Sequence, residues 1–251
     1  MKKVIGVYRN QNMHWVGDGF PVKNLFSYDR LGQAISPFLL LDYAAPYHFA
    51  PTTEQHGVGS HPHRGFETVT LAYQGAVTHQ DSSGGGGTIQ TGDVQWMTAG
   101  AGVVHEEFHS PDFAQKGGLF EMVQLWVNLP AKDKMTAPRY QAITAAEIPR
   151  IERDEGAGYI RVIAGEFGGH HGPAHTFSPV NVWDGELKAE YETTLHVPLG
   201  HNALLVVLAG EPLNEPIQGY GPFVMNTKEE IIQAFQDFNQ GKFGEIAVQA
   251  E

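Results

Sequence analysis

The sequence predicts an all-β fold. Short runs rich in Val, Thr, Leu and aromatics recur along the chain, and thirty glycines and fifteen prolines punctuate them. A single amphipathic helical stripe is visible, in the tail. FETVTLAYQG (66–75) is a strand that ends in a turn. AVTHQDSSGGGGTIQTGDVQWMTAG (76–100) reads as strand, hairpin tip, strand, turn, strand. The four glycines 84–87 are the tip, because neither Lys-Ser/Thr nor a helix follows to make a phosphate cradle. LFEMVQLWVNLP (119–130) alternates Met122, Gln124, Trp126 and Asn128 against Val123, Leu125 and Val127, as a barrel strand does with one set inward. AKDKMTAPRYQAITAAEIPR (131–150) is polar and proline-containing and suits a linker. It divides the chain into an N-terminal domain, 1–130, and a C-terminal domain, 131–251. GYIRVIAGEF, NVWDGELKAEYETTLHVPL and NALLVVLAG resume the strand pattern. In the tail, Thr227 and Glu230 form a capping box, and Ile231, Ile232, Phe235 and Phe238 follow a helical stripe that Gly241 stops.

Chemistry enters with two pairs. His61 and His63 lie in HPHRGFETVTL; His105 and Glu107 lie in VVHEEF. On a strand, residues two apart share a face, so each pair aims two side chains into one space. Imidazole plus carboxylate suits a borderline divalent ion such as iron, manganese, cobalt, nickel or zinc. Four protein ligands on an octahedral ion leave positions open, as a catalytic metal requires. His170, His171 and His175, in GGHHGPAH, lack that alternation and read as a loop. His56, His79 and His109 flank the pairs and read first as surface positions and second as supports behind the ligands. Glu106 and Arg64 point away from the pairs. Glu67 is a second-choice ligand. Trp96, Met97 and Trp126 read first as core and second as the lining of an aromatic-friendly pocket.

The bounds are compatible with an enzyme. The chain has 251 residues, no cysteine and a formal net charge of −12. No disulfide, iron–sulfur cluster or thiolate nucleophile is available. The acidity opposes direct nucleic-acid binding. MKKVIGVYRN lacks the apolar core of a signal peptide, and no run reaches a membrane span. A cytoplasmic protein is expected.

SPFLLLDYA, HPHRGFETVT, GDVQWMTAGAGVVHEE, EMVQLWVNLP, AGEPLNEPI and GPFVMNT resemble the pirin family, from Asn24 to Phe238. That resemblance implies a bicupin: two face-to-face β-barrels with a short C-terminal helix and metal in the first barrel only. It implies His61, His63, His105 and Glu107 as metal ligands, with Fe(II) the usual ion. It implies quercetin 2,3-dioxygenase-type cleavage of a flavonol by O2, with release of carbon monoxide. Glu107 would be catalytic as the base that takes the flavonol 3-hydroxyl proton, or a ligand alone. The family's eukaryotic members imply the alternative, a metal-containing regulator of another protein. One departure stands out: NALLVVL runs directly into AGEPLNEP, so the second barrel reads as shortened, either by a genuine deletion or because a segment is omitted between the two. Open strand edges there would invite another chain, which leaves monomer and homodimer both open.

Overall fold

A computed structural model describes residues 3–9, 12–153 and 156–206, with short pieces at 218–220, 223–225, 228–229, 232–233 and 236. The chain divides into two compact units, Met1–Leu204 and Leu205–Glu251. The larger one is built from strands, as the punctuation of the sequence predicts. It opens with β1 (Met13–Val16), β2 (Phe20–Ser27), β3 (Phe38–Phe49), β4 (Gly57–His63) and β5 (Phe66–Gln74). There follow β6 (Val77–Asp81), β7 (Gly86–Ile89), β8 (Val94–Thr98), β9 (Val103–His109), β10 (Gly118–Asn128) and β11 (Arg139–Ile143).

Two sheets face each other. One has seven strands in the order β1-β2-β3-β10-β5-β8-β11; the other has four, β4-β9-β6-β7. Alternation divides the side chains of the larger sheet between its faces. Outward, Val69, Leu71, Trp96, Leu125 and Val127 join a core completed by Ile163, Ala164, Val180 and Val182 from beyond residue 150. Inward, Ala72 and Met122 pack with Val77 and Ile89 of the smaller sheet and with Phe20, Phe113 and Phe120. A one-turn helix, α1 (Tyr28–Leu31), links β2 to β3. A second helix, α2 (Pro111–Lys116), delivers Phe113 to that interior. Ser110 caps it by accepting the Phe113 N–H, and Gly117 closes it at φ +65°. His109 is sealed among Phe20, Phe49, Phe113 and Phe120, with Nε2 2.9 Å from the Gly19 carbonyl.

Beyond Pro130 the chain is more than a polar connection: β11 adds the last strand to the seven-stranded sheet. Next come β12 (Arg150–Glu152), β13 (Gly158–Ala164) and β16 (Val182–Leu187), which form a three-stranded sheet. Between them, β14 (Glu166–Phe167) and β15 (His170–His171) make a two-residue hairpin. An Arg161–Asp184 pair pins β13 to β16. The strand pattern expected over 188–199 and 202–206 is not realised; those residues carry no strand. A strand needs neighbours to hold it, and among the described residues β16 is the edge of its sheet. The second unit contributes a hairpin, β17 (Gln218–Tyr220) with β18 (Phe223–Met225). The capping box and most of the expected terminal helix lie outside the described residues. Among the described residues, no helix is long and apolar enough to cross a membrane.

Candidate metal centre

β9 lies between β4 and β6, so its inward side chains have neighbours on both sides. His61 sits directly opposite His105, and His79 directly opposite Glu107. The expected pairs therefore meet on one face. Between Val58 and His61 the β4–β9 register shifts by one residue. Such bulges commonly re-aim side chains beside functional sites. Here the shift puts Val58, and not Gly59, opposite Glu107.

The three rings of His61, His63 and His105 have centroids 4.3–4.8 Å apart, and one nitrogen from each lies within 4.8 Å of the others. His61 Nδ1 lies 2.8 Å from the Gly59 carbonyl, which can only accept, so Nδ1 carries the proton. Nε2 then keeps its lone pair for a ligand bond. Burial holds His63 and His105 down to about 4, helped for His63 by the neighbouring rings of His105 and His61. At neutral pH both rings are uncharged, as metal binding requires.

Glu107 is 5% exposed. Burial raises its pKa, but His79, His105 and a hydrogen bond from Gln124 outweigh burial and hold the carboxyl at about 2. Its Oε1 lies 3.2 Å from His79 Nδ1 and 3.9 Å from His105 Nδ1. Gln124 Nε2 donates to the same oxygen at 3.3 Å, and Thr70 Oγ1 donates to Gln124 Oε1, which fixes the amide's orientation. His79, His105 and Glu107 form a second close group, sharing His105 with the three-histidine cluster. Neither nitrogen of His79 or His105 has an in-line hydrogen bond although both rings are buried. Buried polar atoms left this way are costly. The neutral rings of His63 and His105, with the Nε2 lone pair of His61, beside an ionised carboxylate fit a borderline divalent ion.

Several flanking residues differ from expectation. His79 and His109, read as surface positions, are each 3% exposed. In VTHQD, His79 and Asp81 have the same one-residue spacing as the two pairs, and that spacing was the available signal for their inward face. Gln124 offered no signal beyond strand parity. His56 pairs with Asp18 away from the cluster. His170, His171 and His175 lie outside both groups. Glu106 accepts from Ser60 on the outer face, as alternation predicts. Glu67 lies on the opposite face of the large sheet, beside Val69, where it accepts from Thr98 Oγ1. Trp96 is core on that same opposite face, while Met97 packs inward with Ala99 and Val103. Trp126 borders the cluster, 5.3 Å from His63 and 4.5 Å from Phe66. Beside His63 an open depression of about 540 Å³, lined also by Arg64, Gly102 and Val104, reaches the surface. Arg64 Nε donates to the Ala101 carbonyl at this rim.

The pirin family matches residues 19–127, and the pirin C-terminal cupin domain matches residues 160–244. A Pseudomonas aeruginosa protein with a provisional quercetin 2,3-dioxygenase name is 53% identical over 282 aligned positions, covering 97% of this chain and 99% of the relative. That alignment is longer than the 251-residue chain, so the relative carries residues that are missing here. A pirin-like protein of Solanum lycopersicum is 38% identical, covering 97% of this chain and 92% of its own. Among solved structures, a quercetin 2,3-dioxygenase from Acinetobacter baumannii is 62% identical, covering 98% of this chain and all of that one, with a TM-score of 0.79. The two domain matches, the bicupin arrangement of strands and these relatives agree: the chain belongs to the pirin family.

Proposed function

We propose that this protein is a metal-dependent dioxygenase that opens the heterocycle of a flavonol such as quercetin, consuming O2 and releasing carbon monoxide. The observation that carries the reading is the inward cluster of three histidines beside one buried carboxylate. His61, His63, His105 and Glu107 would hold one divalent ion, Fe(II) first, with manganese, cobalt, nickel or zinc compatible with the same donors. Such an ion supplies Lewis acidity that lowers the pKa of a bound hydroxyl, and open positions for substrate and O2. The chain's own residues do the rest. Glu107 accepts the flavonol 3-hydroxyl proton, held in place by Gln124 and His79. Trp126 and Phe66 present an aromatic face beside His63 for a planar ligand. His61 is fixed in its tautomer by Gly59. In domain terms, residues 1–130 carry the site, β11 completes its large sheet, and 131–251 form the shortened, metal-free half.

The test is oxygen uptake and carbon monoxide release with quercetin, on protein stripped of metal and reloaded with iron(II), manganese(II) or nickel(II). The expected result is metal-dependent turnover that His61→Ala abolishes. Stoichiometric metal binding with no turnover by any ion would refute flavonol cleavage and favour a regulator of another protein.

A further inference from the structure

The link that follows His63 carries a cation held in place but not neutralised. β4 ends at His63 and β5 begins at Phe66, so Arg64 and Gly65 make the whole connection. Gly65 turns the chain at φ +81°. Its N–H donates to the Gly100 carbonyl at 2.8 Å, and its carbonyl accepts from Lys134 Nζ at 2.8 Å. Arg64 Nε donates to the Ala101 carbonyl at 2.7 Å, and the Ala101 N–H donates in turn to the Thr136 carbonyl. The guanidinium is therefore oriented through its Nε edge, between two stretches of backbone that are themselves tied down.

Among the described residues Arg64 makes that one hydrogen bond and no ion pair. The chain has 28 acidic side chains to 16 basic ones, so carboxylates are not in short supply. Nη1 and Nη2 remain, the end of a guanidinium that holds a carboxylate by two parallel bonds. Gly102 keeps that group uncovered: at φ +133°, a Cβ there would stand 3.4 Å from Nε and from Nη2. The open depression of about 540 Å³ lies against Arg64 and is bordered by His63. Pro62 and Val104 give it apolar walls, and Val104 is 44% exposed. Ser82 lines it too; its Oγ accepts the Val104 N–H, which leaves the hydroxyl proton free to be donated. A fixed cation and a hydroxyl donor between apolar walls suit an aromatic anion.

We propose that this depression is a binding site for an aromatic carboxylate, gripped by Arg64, and that its ligand is the product of ring opening. The second half of that statement rests on the dioxygenase reading. In that reaction the C2–C3 and C3–C4 bonds of the flavonol break, and C3 leaves as carbon monoxide with its own oxygen. One atom of O2 ends on C2, as an ester carbonyl. The other ends on C4, which becomes a carboxylic acid and takes up the 3-hydroxyl proton. That acid ionises at neutral pH. A neutral ketone has become an anion, so Arg64 distinguishes product from substrate and draws it from the histidine cluster toward the surface.

The test titrates the full chain, loaded with redox-silent zinc, with 4-hydroxybenzoate and with its neutral counterpart 4-hydroxybenzamide, by calorimetry. Wild type is expected to prefer the carboxylate by about 10-fold, the worth of a charge-assisted hydrogen bond. Arg64→Gln should erase that preference, and Arg64→Lys, which keeps the charge without the fork, should recover part of it. Metal content and the unfolding midpoint should stay at wild-type values in both variants, because Arg64 is exposed. Carboxylate affinity in Arg64→Gln within twofold of wild type would overturn the proposal and put the anion on the metal. Equal affinity of wild type for the two probes, or binding of neither, would overturn it as well. An Arg64-dependent preference in a protein that takes up no oxygen with quercetin would uphold the anion site while refuting flavonol cleavage.

Discussion

Replacing His79 with Leu removes a partner 3.2 Å from the Glu107 carboxylate, at a site where both residues are almost fully buried. Gln124 remains at 3.3 Å. An unpartnered buried charge costs about 3–5 kcal/mol, and a single lost hydrogen bond to a neutral group about 1–3 kcal/mol. With one partner kept, His79→Leu is expected to cost roughly 2–4 kcal/mol in the metal-free protein. At about 2–4 °C per kcal/mol for a chain of this size, the unfolding midpoint should drop by roughly 4–16 °C. Residues that orient a ligand carboxylate typically control about 10–100-fold in metal affinity, so the dissociation constant for iron(II) or cobalt(II) should rise by that factor. Thermal unfolding with and without metal, and a competition titration against a chelator, measure both. His79→Asn, which keeps a short amide near the Nδ1 position, should recover part of each loss. A His79→Leu protein that melts with wild type and binds metal within twofold of it would refute the view that His79 positions Glu107.

Other predictions follow from the same geometry. Gly57→Ala would drive a Cβ to within 2.1 Å of the Glu107 carbonyl and 2.6 Å of Phe108 Cα; it should separate β4 from β9 and abolish metal binding, measured as metal per chain after dialysis. Phe120→Ala empties a 1%-exposed position among Phe20, Phe49, His109 and Phe113; a loss of about 3–5 kcal/mol in denaturant unfolding is expected. Burial lowers His63, His105 and His109 to about 4. With folded values below the unfolded value of about 6.5, the unfolded chain binds more protons between these limits. Stability of the metal-free protein should therefore fall as pH drops from about 6.5 toward 4, and hold steady from 7 to 8, in urea titrations.

The strands and the convergence of the His and Glu side chains were legible because both follow parity. His61 with His63, and His105 with Glu107, are two apart, and the pleat aligns them without knowledge of the partner strand. The same rule rejects Glu106 and explains the outward set Val123, Leu125 and Val127. What parity does not give is the neighbour across the sheet. His79 opposite Glu107, Gln124 beneath it and Glu67 on the far face depend on strand order, and strand order is set by long-range pairing. The segment 131–150 reads as a linker because its polar residues dominate, yet in β11 Tyr140 packs against Met97, Ala99 and Val103 and Ile143 joins the core on the other face of the sheet. The runs over 188–206 show the reverse failure. They have strand composition, but composition counts only where a neighbouring strand is present to pair with it.

The proposed function requires one inward cluster to bind one ion. The most direct measurement is metal content per chain after anaerobic loading with iron(II) and extensive dialysis, for wild type and for a His61→Ala/His105→Ala double variant that still shows a cooperative melt. About one ion per wild-type chain is expected, because the two donor groups found among the described residues share His105 and make one centre, and essentially none in the double variant. Equal metal in both proteins would contradict it and put the binding elsewhere.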